Sequence, residues 1–181
     1  MSYLESLPAD AALLQVLQAY PRTAKPLLEL HEAVMRGPSP FTAAERELMA
    51  AYVSGLNDCT YCHGVHAATA EAFGMPAELV TAAITDLDTA PVGEPIKPVL
   101  RYLGKLTRDP ARLTKADAQA VLSAGWDEQA LHDAVLVGAL FNGMNRMVDG
   151  LGIQAGKGYL ASSAERLHKA GYAGLAAFLK D

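Results

Sequence analysis

The 181-residue sequence predicts an all-α fold, and three observations support that prediction. Apolar residues recur at steps of three and four along most of the chain, as on the buried face of a helix. Alanine, leucine and glutamate, which favour helices, are abundant. We find no run of alternating β-branched residues bounded by tight turns, which is the pattern of a strand. A chain of this length fits one domain with a substantial core.

Capping residues and turn formers delimit the first helices. Pro8 can occupy the first position of a helix over 8–20, and a second helix is expected over 24–36. Thr42 and Glu45 form a Thr-x-x-Glu capping box, in which each side chain accepts a hydrogen bond from the other residue's backbone. The box predicts that a third helix begins directly after Thr42.

The next two helices follow from the same kinds of signal. A helix over 59–73 is expected, with Asn57 or Asp58 as its N-cap and Gly74 as its stop. Pro76 then opens a short helix that ends near residue 86. Together these elements place both cysteines of the chain at the start of one helix.

The second half of the chain begins with the proline-rich segment 90–98, which resembles a linker between helices. Thr114 and Asp117 form a second capping box. Asp127 begins the longest apolar pattern, which is expected to be a central helix buried on several sides. One or two further helices should follow, with a break near Gly171.

Composition and charge exclude several classes of protein. With 51% hydrophobic and 19% charged residues, the chain is expected to be globular. The net charge of −5 argues against nucleic-acid or anionic-membrane partners. The N-terminal residues carry no cationic segment followed by an apolar core, and no apolar run is long enough to span a membrane. We therefore expect a cytoplasmic protein with no membrane partner.

The most informative motif lies between Glu47 and His66. It reads Glu-x11-Cys59-x2-Cys62-x3-His and contains the only two cysteines of the chain. On a helix that begins near Cys59, the two cysteines and His66 occupy positions i, i+3 and i+7 of one face. In a reducing compartment such a pair is more often catalytic or metal-binding than structural.

This spacing suits thiol redox chemistry. A helix N-terminus stabilises a thiolate, and the thiolate is the form that attacks a peroxide. The product is a sulfenic acid, which a second thiol one turn away converts to a disulfide. Glu47, on the preceding helix, could reach His66 and act with it as a proton relay. The dipole argument taken alone favours Cys59 as the more acidic thiol.

The stretch AYVSGLNDCTYCHGVHAATA resembles the core signature of the alkylhydroperoxidase AhpD family, within the carboxymuconolactone decarboxylase-like superfamily. Downstream, Ala124-Gly125 and FNGMNRMVDGLG are similar to the branch called peroxidase-related proteins. The resemblance covers about residues 41–152. It implies a single AhpD-like domain over 1–181, in which helices from 8–36 and 154–180 pack on the redox core or on a neighbouring subunit.

The resemblance also implies roles for the motif residues. Cys62 corresponds to the peroxidatic cysteine and Cys59 to the resolving one, and His66 with Glu47 matches the proton relay. The substrate would be hydrogen peroxide or a small organic hydroperoxide, and the reductant a dithiol or a thioredoxin- or lipoyl-type protein. No metal, haem or flavin is implied in the subunit, and a homo-oligomer, commonly a trimer or hexamer, is expected.

One position departs from the family pattern. Its best-known members have a histidine immediately before the second cysteine, where this chain has Tyr61, with His63 on the other side of Cys62. Both are candidate pocket residues, as are Asn142 and Asn145 on the long apolar helix. For the two asparagines, we favour buried hydrogen bonds over a role in the pocket.

Three alternatives and one further expectation accompany this interpretation. The CxxC pair could be a zinc half-site completed by histidine and Glu47, although structural zinc usually takes more sulfur ligands. The chain could be a decarboxylase acting on a γ-carboxymuconolactone-like substrate, a chemistry that does not need the CxxC pair. It could also be a non-catalytic redox sensor. The isolated histidines His31, His132 and His168 are expected to be solvated.

Overall fold

The computed structural model describes residues 2–154 and 156–179, and over these residues it is helical with no β-strand. Within them, no helix combines the length and the apolar character that a membrane span requires. The helices are α1 (Leu13–Ala19), α2 (Pro21–Arg36), α3 (Ala43–Leu56), α4 (Thr60–Ala72), α5 (Glu78–Thr85), α6 (Ile96–Arg108), α7 (Lys115–Ser123), α8 (Glu128–Gly150), α9 (Lys157–Ala170) and α10 (Ala173–Ala176), with a 3-10 turn at Pro110–Arg112.

The predicted caps at the starts of α3 and α8 are confirmed. At the start of α3 the backbone N–H of Glu45 donates to the Thr42 hydroxyl at 3.2 Å, and the N–H of Thr42 donates to the Glu45 carboxylate at 2.8 Å. At the start of α8 the Asp127 carboxylate accepts from the backbone N–H of Ala130 at 2.8 Å. These caps satisfy N–H groups that have no partner within the helix.

Several predicted helix starts are wrong by a few residues. The first helix begins at Leu13 and not at Pro8, because the N–H of Ala11 closes a turn onto the Pro8 carbonyl. The second begins at Pro21, which occupies the first helical position, where its missing N–H costs nothing. The helix predicted from Pro76 begins at Glu78.

The prediction that Asn57 or Asp58 caps α4 is also wrong. Asn57 ends α3, and Asp58 has a φ of +56°, so these two residues form the turn between the helices. Cys59 is the N-cap of α4, and its own N–H donates to the Ser54 carbonyl at 3.0 Å. Cys59 therefore lies just before the helix that carries Cys62 and His66.

Helix α3 occupies the centre of the molecule. Every residue from Arg46 to Ser54 is buried, and α4, α5, α6 and α8 pack around it. The long helix α8, which was expected to be the central one, keeps Leu136 exposed on one side. Helix α9 packs against α4 and brings the C-terminal segment beside the cysteine motif.

Candidate active site

Glu47 is an acidic side chain in the middle of the buried helix α3, with no exposed surface. One carboxylate oxygen lies 2.6 Å from His66 Nδ1, and the other accepts from Arg36 Nη2 at 2.6 Å. Burial alone would raise the pKa of Glu47, but His66 and then Arg36 outweigh it and hold the pKa below its usual value. The predicted contact between Glu47 and His66 is confirmed, with a carboxylate that stays ionised.

Arg36, at the end of α2, is a partner of Glu47 that sequence reasoning missed. Its guanidinium lies 5.1 Å from the centroid of the Phe73 ring and 5.2 Å from that of Tyr172, and it donates to the Leu167 carbonyl at 3.2 Å. These contacts hold the cation in one place inside the protein. The sequence carries no local signal for this pairing, because Glu47 directly follows two other charged residues and its burial depends on how α3 packs.

His66 is held so that its second ring nitrogen is available. An ionised carboxylate can only accept hydrogen bonds, so the Nδ1 atom beside Glu47 carries the proton. The Phe141 ring packs edge-on against the imidazole, with centroids 4.5 Å apart. In the neutral ring Nε2 is then a proton acceptor, which is the arrangement of a carboxylate-oriented general base.

Cys59 and Cys62 are both buried, and both are free thiols. The hydrogen bond from the Cys62 thiol lowers the pKa of Cys59 against the opposing effect of burial. The same neighbour and burial raise the pKa of Cys62. The first proton lost from the pair therefore belongs to Cys59, in agreement with its place at the helix N-terminus.

A mostly apolar cavity reaches one of the two cysteines. It offers about 60 Å³ to molecules of water size, and its lining comes from α1, α2, α4, α8, α9 and the segment after α9. Cys62 and His66 lie in this lining together with Tyr61, whereas Cys59 does not. A small molecule in the cavity would therefore meet Cys62 and the proton acceptor His66.

The two residues flanking Cys62 face different surroundings. Tyr61 lines the cavity, and its hydroxyl donates to the Tyr159 hydroxyl at 3.3 Å. His63 lies outside the cavity lining, with Nδ1 3.1 Å from the Ala51 carbonyl. Of these two candidate pocket residues, only Tyr61 lies with Cys62 in the cavity lining.

Asn142 and Asn145 join α8 to the neighbouring helices and lie outside the cavity lining. The Asn57 amide donates to both side chains, at 3.1 and 2.8 Å. Asn145 in turn donates to the Ser54 hydroxyl at 2.9 Å. Asn145 also favours the thiolate of Cys62, although the neighbouring Cys59 and burial have the larger, opposite effects on that pKa. Asn145 therefore acts on Cys62 from outside the cavity.

His31 is buried, and the prediction that it is solvated is wrong. It is 3% exposed, and it shares the inner face of α2 with Ala24, Leu28 and Met35, a helical spacing that the sequence already shows. The imidazole lines the cavity, and Nδ1 donates to the Leu27 carbonyl at 2.7 Å. Burial lowers the pKa of His31 to about 4, so the ring is neutral. His132 and His168 are exposed.

The buried neutral His31 predicts a loss of stability on acidification. The unfolded state binds a proton near pH 6.5 and the folded state only near pH 4, so stability falls as the pH drops through that window. The loss approaches about 3 kcal/mol at its lower end. Urea unfolding of wild type and His31→Met between pH 7 and pH 5 checks this, because methionine does not titrate. Equal slopes in the two proteins would exclude His31 as the source.

Among residues 2–154 and 156–179, no group of three or more histidine, cysteine, aspartate or glutamate side chains is arranged to hold a metal ion. The zinc half-site alternative therefore has no ligand set among them. The acid–base cluster instead pairs one carboxylate with one arginine and one histidine.

Comparison with known proteins finds one family model that matches part of the chain. Residues 21–97 match the model of the carboxymuconolactone decarboxylase family. The chain is therefore similar to this family over 77 of its 181 residues. The matched region contains Arg36, Glu47, Cys59, Cys62 and His66, so the acid–base and thiol cluster lies within the part of the chain that is similar to the family. No curated protein matches the chain significantly.

Two solved structures show that this chain has an AhpD-like fold. An uncharacterized peroxidase-related protein from Silicibacter sp. TM1040 has a TM-score of 0.76 at 24% identity. A structure described as an alkylhydroperoxidase AhpD core, an uncharacterized peroxidase-related protein from Ralstonia eutropha JMP134, has a TM-score of 0.75 at 20% identity. Each match covers 82% of this chain and 78% of the other.

Proposed function

We propose that this protein is a thiol-dependent peroxidase that reduces hydrogen peroxide or small organic hydroperoxides through a Cys59–Cys62 dithiol/disulfide cycle. The observation that carries the proposal is that Cys62 and His66 line one cavity while Glu47 orients His66. The second thiol, Cys59, interacts directly with Cys62. A nucleophile, a base and a resolving group are thereby adjacent.

Deprotonation of the dithiol is the first step. His66 Nε2 accepts the proton, directly or through one water molecule, and Glu47 stabilises the imidazolium that forms. Because His66 and Arg36 together keep Glu47 ionised, the carboxylate does not take the proton itself. The pair then carries one negative charge, which rests first on Cys59.

Attack on the peroxide is assigned to Cys62 because that thiol lines the cavity and Cys59 does not. The proton that Cys62 donates to Cys59 shifts along that hydrogen bond and leaves the thiolate on Cys62. Its sulfur bonds to one peroxide oxygen, the O–O bond breaks, and the other oxygen leaves as alcohol or water. Cys59 then attacks the sulfenic sulfur, water departs, and the disulfide forms.

A dithiol must return the disulfide to its reduced form. We propose a small dithiol or a thioredoxin- or lipoyl-type protein as the donor, acting through thiol–disulfide exchange. The cycle uses thiols alone, and no cofactor is part of the proposal. Two electrons enter from the donor and leave in the reduced peroxide.

We also propose that the protein forms a homo-oligomer, a trimer or a hexamer. An apolar groove runs between α2 and α8, and Leu30 and Leu136 at its edges are 48% and 37% exposed. Further leucine, valine and methionine side chains line it. A contiguous apolar surface of this kind is typical of a contact between copies of a chain.

The proposal is tested by adding cumene hydroperoxide to the reduced protein. We expect both thiols to be lost and one equivalent of cumyl alcohol to form, with many turnovers once dihydrolipoamide or dithiothreitol is present. Thiols that survive the peroxide would overturn the peroxidase assignment. Oxidation that changes the oligomer size without turnover would instead support the redox sensor.

A further inference from the structure

Tyr172, just before α10, places a hydroxyl inside the protein without a partner. The residue is 4% exposed, and its hydroxyl has no hydrogen-bond partner among the described residues. Buried tyrosine hydroxyls are normally satisfied, because leaving one unpaired costs free energy. Tyr172 lies beyond the segment that matches the family model, and sequence reasoning gave it no role.

Tyr172 belongs to the lining of the same cavity as Cys62. Tyr172 lines it together with Cys62 and His66, and the ring centroid lies 5.1 Å from that of His31. The charge of Cys62 is close enough to influence the ionisation of the phenol. The unpaired donor therefore belongs to a residue of the cavity wall that a substrate would contact.

The backbone fixes this position. The N–H of Tyr172 donates to the Glu32 carboxylate at 2.7 Å. Gly171 precedes it with a φ of +61°, and a Cβ at that position would meet the same carboxylate at 2.7 Å. Together with the contact between its ring and Arg36, these features tie the tyrosine to α2.

The phenol is suited to donate a hydrogen bond and to keep its proton. Burial, and then the nearby charge of Glu47, raise the pKa of Tyr172 well above its ordinary value. Its polar neighbours in the cavity wall complement it, because His31 donates through Nδ1 and keeps Nε2 as an acceptor, and His66 does the same whenever its ring is neutral. Tyr172 therefore supplies a donor where the imidazoles supply acceptors.

We propose that Tyr172 donates a hydrogen bond to the leaving oxygen of the hydroperoxide while Cys62 attacks the other oxygen. This inference rests on the proposed peroxidase function. The S–O bond forms as the O–O bond breaks, and sulfur loses the two electrons that the peroxide gains. The leaving oxygen takes its proton from the imidazolium of His66, and Tyr172 stabilises the negative charge that develops on it before that transfer.

The test is the rate at which one equivalent of cumene hydroperoxide oxidises the reduced protein, in wild type and Tyr172→Phe. We expect a fall of ~10- to 100-fold, somewhat below the effect of removing a donor to a full oxyanion. The melting temperature should stay the same or rise, since the substitution removes an unpaired buried hydroxyl. The rate of thiol alkylation by iodoacetamide should not change, because Tyr172 acts on the leaving oxygen.

Tyr52→Phe is the matched control. Tyr52 is also a buried tyrosine, but it lies on α3 and outside the cavity lining. The substitution removes the same phenolic hydroxyl, and the thiols of this variant should be oxidised at the wild-type rate. Equal oxidation rates for Tyr172→Phe and wild type would overturn the role of Tyr172 while leaving the peroxidase function intact. A wild type that does not react would refute the peroxidase function itself. A slower alkylation in Tyr172→Phe would show that the phenol acts on the thiol and would overturn the assignment to the leaving oxygen.

Discussion

Glu47→Gln is expected to lower both the stability and the activity of the protein. The carboxylate is fully buried between Arg36 and His66, so its removal leaves the arginine charge inside the protein without a counter-charge. Breaking a buried pair in this way typically costs ~3–5 kcal/mol. Loss of the group that stabilises the imidazolium should also slow thiol oxidation by roughly 10²-fold.

A double variant separates the two effects. In Arg36→Met/Glu47→Gln the unpaired charge is absent, and a flexible apolar side chain replaces the arginine against Phe73 and Tyr172. We expect the double variant to recover most of the free energy of unfolding, since apolar replacement of a buried ion pair is often neutral. The peroxide reaction should remain slow, because the neutral amide cannot stabilise a protonated His66.

Urea unfolding and the single-turnover oxidation rate are the two measurements. Glu45→Gln is the matched control: it makes the same change two residues away, in the capping box, where glutamine can accept the same hydrogen bond. It should cost less than ~1 kcal/mol, for the lost charge at the helix N-terminus, without slowing oxidation. If the double variant regained the wild-type oxidation rate along with its stability, Glu47 would have only a structural role. That result would remove the proposed relay.

The parts of this site that could be predicted from the sequence are those that depend on the spacing of residues close together in the chain. Helix periodicity placed Cys62 and His66 on one face, and the capping box at Thr42 set the start of the helix that carries Glu47. A carboxylate and an imidazole on consecutive antiparallel helices can meet, and here they do at 2.6 Å. Local patterns were sufficient because all these residues belong to two adjoining elements.

The parts that could not be predicted depend on contacts between distant segments. Arg36 and Tyr172 meet only because α2 and the segment after α9 pack together, and neither carries a motif. The N-cap of α4 was misplaced for a different reason. Asn57 and Asp58 are residue types that favour the N-cap position. Asp58 has a φ of +56°, however, so it belongs to the turn between α3 and α4, and Cys59 takes the cap position.

Serine substitutions at the two cysteines are expected to have opposite consequences. Cys62→Ser should abolish peroxide reduction, because the remaining thiol, Cys59, is fully buried and lies outside the cavity lining. Cys59→Ser should still react once, because Cys62 keeps its place in the cavity beside His66. The sulfenic acid formed on Cys62 would then persist, since no second thiol is present to convert it to a disulfide.

The two variants should also differ in thiol acidity. In wild type the Cys62 thiol stabilises the Cys59 thiolate and holds the pKa of Cys59 below that of an ordinary thiol, so thiolate absorbance should appear at lower pH than in a free cysteine. In Cys62→Ser a weaker hydroxyl donor replaces that thiol, and the onset should move up in pH. In Cys59→Ser the competing thiolate is gone, so Cys62 should ionise more readily than it does beside Cys59.

Dimedone trapping followed by peptide mass spectrometry identifies the oxidised residue. We expect the adduct on Cys62 in Cys59→Ser and none in Cys62→Ser. An adduct on Cys59 in Cys62→Ser would reverse the assignment and would require peroxide to reach a sulfur that has no exposed surface in this structure. Such access would need α4 to separate from its neighbours, and it would mean that acidity and not contact with the cavity selects the attacking thiol.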